Sequence, residues 1–267
     1  MIKPNNLQTI DFAALYRAQK VASDFRPKSA DDWNEKAALM SAKLGGIYPE
    51  KLCSLIDSQG SETLLDIGSG VGTIALELAS KFKKIYAVDF SPKMLAELSK
   101  NAADRGIKNI EAIEANIEES WEKLPQADIA IASRSMEVSD IQTTLKNLND
   151  HALKKVYLTY KVGGSFLHAP ILEAIGRSVT PKPDYIYIVN VLYTMGIYAK
   201  VDFIPSEGKG FNYHNEDGYI QSVEWSLGAL TDDEKQKLVQ YFDRLRREDR
   251  LRDDPLVWAL IHWEKDS

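Results

Sequence analysis

The spacing of apolar residues changes character near Glu62. Before that point it is helical. The run SADD, from Ser29 to Asp32, fits a capping box, and Trp33, Ala37, Met40 and Leu44 follow at helical spacing. The run PEKLCSLI, from Pro49, predicts a further short helix with proline in its first turn. From Thr63 the pattern alternates. TLLDI reads as a buried strand and TIALELASKF as a helix; KIYAVDF reads as the next strand. SPKMLAELSKNAADRG then predicts a helix capped by Ser91, with Pro92 at its first position and Gly106 past its end. NIEAIEA and ADIAIAS follow as strands, DIQTTLKNLNDHA as a helix and KKVYLTYK as a strand. This order implies parallel strands joined by helical crossovers. AKVDFI and LVWALIHW read as two more strands, separated by a polar loop at 206–218 and an amphipathic helix marked by Leu238, Phe242 and Leu245.

The most apolar run, YIYIVNVLYTMGIYA at 185–199, is shorter than the roughly 20 residues a bilayer crossing needs. It also contains Asn190, and it predicts a buried helix capped by Asp184 and closed near Gly196. No membrane partner is expected. The opening MIKPNNLQTIDFAALYR lacks an unbroken apolar core, so no signal peptide is read. The single cysteine, Cys53, can form no internal disulfide and reads as a small core residue. A reducing, cytoplasmic location is the expectation. The net charge of −6 argues against a nucleic-acid surface. The mixed-sign run DRLRREDRLRDD reads as a solvated helix face. The four histidines, at 151, 168, 214 and 262, are too scattered to predict a metal site.

The chemistry concentrates in LLDIGSGVGT, where Gly68, Gly70 and Gly72 follow a strand. A turn that leaves a parallel strand and enters a helix lies at the ligand-binding edge of an α/β sheet. Dinucleotide folds use G-x-G-x-x-G, but here the spacing is G-x-G-x-G and the remaining position holds Thr73. Asp66 stands two residues before the first glycine. Its charge would repel a pyrophosphate and attract an ammonium group. Asp89, at the tip of the next strand, is placed to accept from ribose hydroxyls. A nucleoside with an amino-acid tail meets both demands, and S-adenosyl-L-methionine is such a molecule. Asp66 as a strand-end cap and Asp89 as a helix-terminal charge are the plainer readings.

The stretches LLDIGSGVGTIALELA, AVDFSPKMLAELSKNAA, IEANIEE and ADIAIASRSME, in this order, resemble the class I S-adenosylmethionine-dependent methyltransferases. The resemblance implies a Rossmann-like, doubly wound α/β fold. Its seven-stranded, mostly parallel sheet carries helices on both faces, with an N-terminal helical cover at 1–61. Residues 62–267 would form one methyltransferase domain, with an insertion at about 205–255 between the last two strands. By the same resemblance Asp66, Gly68, Ser69, Gly70 and Gly72 would line the methionine part of the cofactor. Asp89 would hold the ribose beside Phe90 and Met94, and Asn116 and Ile117 would meet the adenine. Ser133 would lie near the sulfonium, and Arg134 would reach the cofactor carboxylate or a substrate anion. Asn116 also reads as a turn residue, Arg134 as an ion-pair partner, and Trp33 as a staple rather than a lid.

No Asn/Asp-Pro-Pro-Tyr/Phe run follows the fourth strand, where the chain has SRSM, so methylation of an exocyclic base nitrogen is not expected. No residue is singled out as catalytic. His168 and the tyrosines Tyr160, Tyr193 and Tyr198 are candidates for the substrate wall, with core or surface packing as the alternative. The expected activity is methyl transfer to a small-molecule acceptor. A methyltransferase acting on tRNA or protein, and a non-catalytic S-adenosylmethionine-binding protein, are the alternatives. A homodimer is left open, and a nicotinamide dehydrogenase is disfavoured by Thr73 and Asp66.

Overall fold

The computed structural model describes residues 7–208, 213–251 and 255–265. The apolar runs become strands β1 (Thr63–Ile67), β2 (Lys84–Asp89), β3 (Ile110–Glu114), β4 (Ala127–Ser133), β5 (Ala152–Lys161), β6 (Lys200–Ser206) and β7 (Leu256–Glu264). They form one seven-stranded sheet in the order β3-β2-β1-β4-β5-β7-β6. Pairing is parallel from β3 to β5, and β7 runs antiparallel to both β5 and β6. The chain winds outward from β1 in one direction and restarts at β4 in the other. The crevice between the ends of β1 and β4 is therefore the switch point at which such sheets bind ligands.

Among the described residues ten α-helices cover the sheet or extend it. They are α1 (Phe12–Ala22), α2 (Ala30–Ser41), α3 (Ile47–Leu55), α4 (Thr73–Leu78), α5 (Pro92–Asp104), α6 (Ile141–His151), α7 (Ala169–Ile175), α8 (Tyr185–Thr194), α9 (Glu216–Leu227) and α10 (Asp232–Arg247). The two-residue period of a strand sends neighbouring side chains to opposite faces. Leu65 and Ile67 of β1 meet Tyr16 of α1, Leu145 of α6 and Val191 of α8 on one face. Leu64 meets Tyr48 and Leu52 of α3 and Leu78 of α4 on the other. Segment 1–61 thus supplies core residues to both faces. A third cluster joins Ile171 of α7, Val223 of α9 and Phe242 of α10. Cys53 is a buried member of the α3 face, and burial pushes its thiol up to about 12.

The caps form as the sequence predicts. Ser29 and Asp32 close a capping box at α2, Ser91 caps α5 ahead of Pro92, and Asp184 caps α8. Two helices escaped the pattern: α7, and α9, whose first turn occupies the end of the expected loop. Residues 209–212 of that loop lie outside the described residues. Helix α8 is buried on one side only. Ile188, Val191 and Leu192 are inside, whereas Ile186 and Tyr193 are exposed, because just one face of the helix packs on α1 and α6. Among the described residues no helix is long and apolar enough to cross a membrane.

Candidate active site

The glycine turn leaves β1 and folds back on β2. The N–H groups of Gly68 and Ser69 both donate to the carbonyl of Val88, at 2.8 and 2.9 Å. Gly68 has φ 70°, and a Cβ there would overlap Ser135, so no other residue fits. Gly70, at φ 54°, faces open space: a Cβ there would meet only Met94 Sδ, at 4.0 Å. Beneath the turn lies Asp66, 1% exposed, with neither carboxylate oxygen hydrogen-bonded. Burial raises its pKa to about 7, and the charge of Asp89 adds to the rise. The Ala75 amide opposes both without meeting hydrogen-bond geometry. The Ser69 hydroxyl is also buried without a partner. An unpaired buried carboxylate is costly, and a cationic group bound against the turn would offset that cost.

Asp89, at the end of β2, is engaged by the protein itself. Its Oδ2 accepts from the N–H of Gly70 at 2.8 Å and its Oδ1 from that of Ser91 at 2.9 Å. Burial raises its pKa, and these two amides pull the other way. Ser91 Oγ accepts from the Met94 amide and donates to Asn34 Oδ1 at 2.8 Å, which ties α2 to the start of α5. Above the turn, Met94, Val71 and Ala37 form a small buried cluster on which Trp33 packs. Trp33 also meets Trp225 of α9 edge to face, with ring centroids 5.8 Å apart. It is therefore a staple in fact, and the staple passes over the glycine turn. Phe90 is half-buried beside it. Asn116 is exposed, and its Oδ1 accepts from the Glu118 N–H at 3.0 Å, the geometry of a turn residue. Ile117 borders a cleft of about 190 Å³ shared with Ser139, Asp140 and Thr143.

On the other side of β4 the strand ends carry a hydroxyl network. The Tyr48 hydroxyl lies 2.9 Å from Ser133 Oγ and 2.6 Å from Thr159 Oγ1, and the Arg134 N–H donates to Thr159 Oγ1 at 3.0 Å. Arg134 has φ 59°, a left-handed conformation that bulky residues avoid. Its guanidinium carbon stands 3.4 Å from the centroid of the Tyr48 ring and 4.9 Å from that of Trp258. Arg134 forms no ion pair with a described residue, so the ion-pair reading of this side chain gains no support. Tyr48, Thr159 and Trp258 were not legible as site residues, because α3, β5 and β7 bring them together from distant segments. Thr159 and Trp258 lie near strand ends and Tyr48 in the first turn of α3, with no local motif around any of them. Of the expected substrate wall, Tyr160 is buried against Tyr16, whereas Tyr193 and Tyr198 pair with each other on the surface. His168 precedes α7, at the base of the α7–α9–α10 cluster.

The model of a family described as a methyltransferase domain matches residues 64–155, the segment from β1 into β5 that carries the glycine turn, Asp89 and Ser133. These residues carry a methyltransferase domain, set in a fold shared with solved structures that include a protein of Bacillus halodurans. An uncharacterized protein of Haemophilus influenzae is 35% identical over 261 residues, which are 96% of this methyltransferase and 97% of that protein. The fold of this methyltransferase is shared with YcgJ of Bacillus subtilis, at TM-score 0.57 and 14% identity over 82% of this chain and 98% of that one. It is also shared with a coclaurine N-methyltransferase, at TM-score 0.52 and 14% identity over 98% and 88% of the two chains. Shorter stretches, up to 40% of the methyltransferase, match RNA methyltransferases and a cobalt-precorrin methyltransferase. The coclaurine N-methyltransferase is bound to SAH. The unpartnered Asp66 carboxylate beside an open glycine turn fits a cationic amino group.

Proposed function

We propose that this methyltransferase acts on a small molecule. S-adenosylmethionine supplies a methyl group already made electrophilic by its sulfonium, so the chain has mainly to hold, align and keep water out. In this reading Asp66 and the turn Gly68, Ser69, Gly70 and Gly72 hold the amino-acid end of the cofactor. Asp89 exchanges the Gly70 amide for ribose hydroxyls, and Phe90 and Met94 lie against the nucleoside. Asn116 and Ile117 face the adenine, and Ser133 lies on the boundary with the acceptor.

The observation that carries the small acceptor is the cover. Helix α2 lies on the glycine turn through Trp33 and is stapled to α9 through Trp225. A cover built from two chain segments over the glycine turn suits a small acceptor, whereas a folded RNA needs an open, basic groove. The likeness in fold to a coclaurine N-methyltransferase bound to N-methylheliamine supports the same reading. The test is partition of label. Purified protein and S-adenosylmethionine labelled at the methyl group are offered a small-metabolite extract, total RNA and a protein lysate. Label in the metabolite fraction is the expected result, and label in RNA or protein alone overturns the reading.

A further inference from the structure

Arg134 leans away from the cofactor turn. The turn belongs to β1, on one side of β4, whereas Tyr48 of α3 reaches over the ends of β4 and β5, and Trp258 belongs to β7, beyond β5. The side chain keeps solvent-exposed surface. Its left-handed backbone is fixed by the Thr159 hydroxyl, which the Tyr48 hydroxyl holds in turn. Strained backbone of this kind gathers where a site needs one particular direction.

The cation placed this way lacks a counter-ion. Among the described residues no carboxylate lies within 4.0 Å of the guanidinium, whose side-chain hydrogen-bonding partner is Tyr48. Glu207 is the carboxylate whose charge it feels, and Glu207 accepts from the Ile47 N–H. A second cation follows along the same edge. Lys161 ends β5 opposite Trp258, is 8% exposed, and donates only to the Val162 carbonyl, at 2.7 Å. Its Nζ lies 5.4 Å from the Phe166 ring, which in turn lies 6.2 Å from Trp258. Glu207 acts on Arg134 and Asp184 on Lys161 from a distance, but among the described residues neither cation has a carboxylate within 4.0 Å, so an anion placed between them would be held by both.

We propose that the methyl acceptor is a small organic oxyanion, bound through its negative group by Arg134 between Tyr48 and Trp258, with Lys161 as the second cation. This rests on the small-molecule reading and adds the charge of the substrate. The planar guanidinium has five N–H donors in a fork that matches carboxylate or phosphate oxygens, and the flanking rings suit a flat body.

The test is a calorimetric titration of the protein saturated with S-adenosylhomocysteine. The probes are acetate, benzoate, phenyl phosphate, inorganic phosphate and neutral benzamide. Anions are expected to bind at least roughly tenfold more tightly than benzamide, the scale of a charge-assisted pair. The better of benzoate and phenyl phosphate identifies carboxylate or phosphate. Arg134→Gly, which suits the φ of 59°, is expected to lose about tenfold in anion affinity, Arg134→Lys less, and Lys161→Met a smaller share. Melting curves confirm that each variant is folded. Binding by none of the anions, equal binding of benzoate and benzamide, or undiminished benzoate affinity in Arg134→Gly overturns the proposal. So does loss of S-adenosylhomocysteine rather than benzoate in that variant. Label found on a neutral or cationic metabolite in the partition experiment sinks this proposal alone, whereas label on RNA or protein sinks the small-molecule reading beneath it.

Discussion

Asp89 holds Gly70: its carboxylate accepts the Gly70 amide at 2.8 Å and so pins the middle of the glycine turn to the end of β2. One residue thereby shapes the turn before the cofactor arrives and is the candidate acceptor for its ribose afterwards. Asp89→Ala is expected to weaken S-adenosylmethionine binding by about 1–3 kcal/mol and also to lower the melting temperature, since two amides lose their acceptor. Asp89→Asn, which keeps one oxygen, is expected to recover more stability than affinity. Calorimetry and thermal denaturation on the same samples separate the two effects, and unchanged affinity in both variants would remove Asp89 from the ribose.

Asp66 makes the stability of the cofactor-free protein depend on pH. Its pKa rises from the ordinary 3.8 to about 7 on folding. The native state therefore holds a proton that the unfolded chain releases, and stability falls as pH rises through that window. Asp66→Asn is expected to flatten the slope and to raise the stability of the cofactor-free protein above pH 7 by up to about 4 kcal/mol. Urea midpoints between pH 4 and 8 read this directly, with parallel curves for the two proteins as the contrary result.

The same carboxyl should tune cofactor capture. A bound cation favours the ionised form, so S-adenosylmethionine affinity is expected to rise with pH up to about 7 and then level off. Titrations in buffers of different ionisation heat would also show a proton released on binding below pH 7. A flat profile would separate Asp66 from the cationic end of the cofactor.

Gly68 and Gly70 should fail in different ways. Alanine at Gly68 collides with Ser135 in a left-handed backbone and is expected to destabilise the fold by roughly 2–4 kcal/mol. Alanine at Gly70 points into free space, so it is expected to cost only the ~1–2 kcal/mol of its backbone conformation while blocking the cofactor. Denaturant midpoints and cofactor titrations together check this pair. Normal binding by Gly70→Ala would show that the open space above the turn is not the cofactor's.

Much of the structure around the glycine turn was legible because its signals are local. A strand, a glycine turn, an acidic tip and the Ser91–Pro92 cap all lie between Thr63 and Met94, where each residue's neighbours in space are also near in sequence. At the ends of β4 and β5, Ser133 and Arg134 were singled out from the sequence, whereas Tyr48, Thr159 and Trp258 were not, because they meet only once α3, β5 and β7 have assembled. Helix α9 was hidden differently. Gly218 in its first turn imitates a loop, although Asn215 caps it and Tyr219, Val223 and Leu227 repeat every fourth residue along its buried side. The run at 185–199 misled in the opposite sense, since strong hydrophobicity said nothing about how many sides would be covered.

Trp33 and Trp225 join helices that lie far apart in the chain. Their contact, with the packing of Trp33 on Val71 and Met94, ties an early helix and a late one to the same patch of the molecule, so trimming either indole should loosen α2 and α9 together.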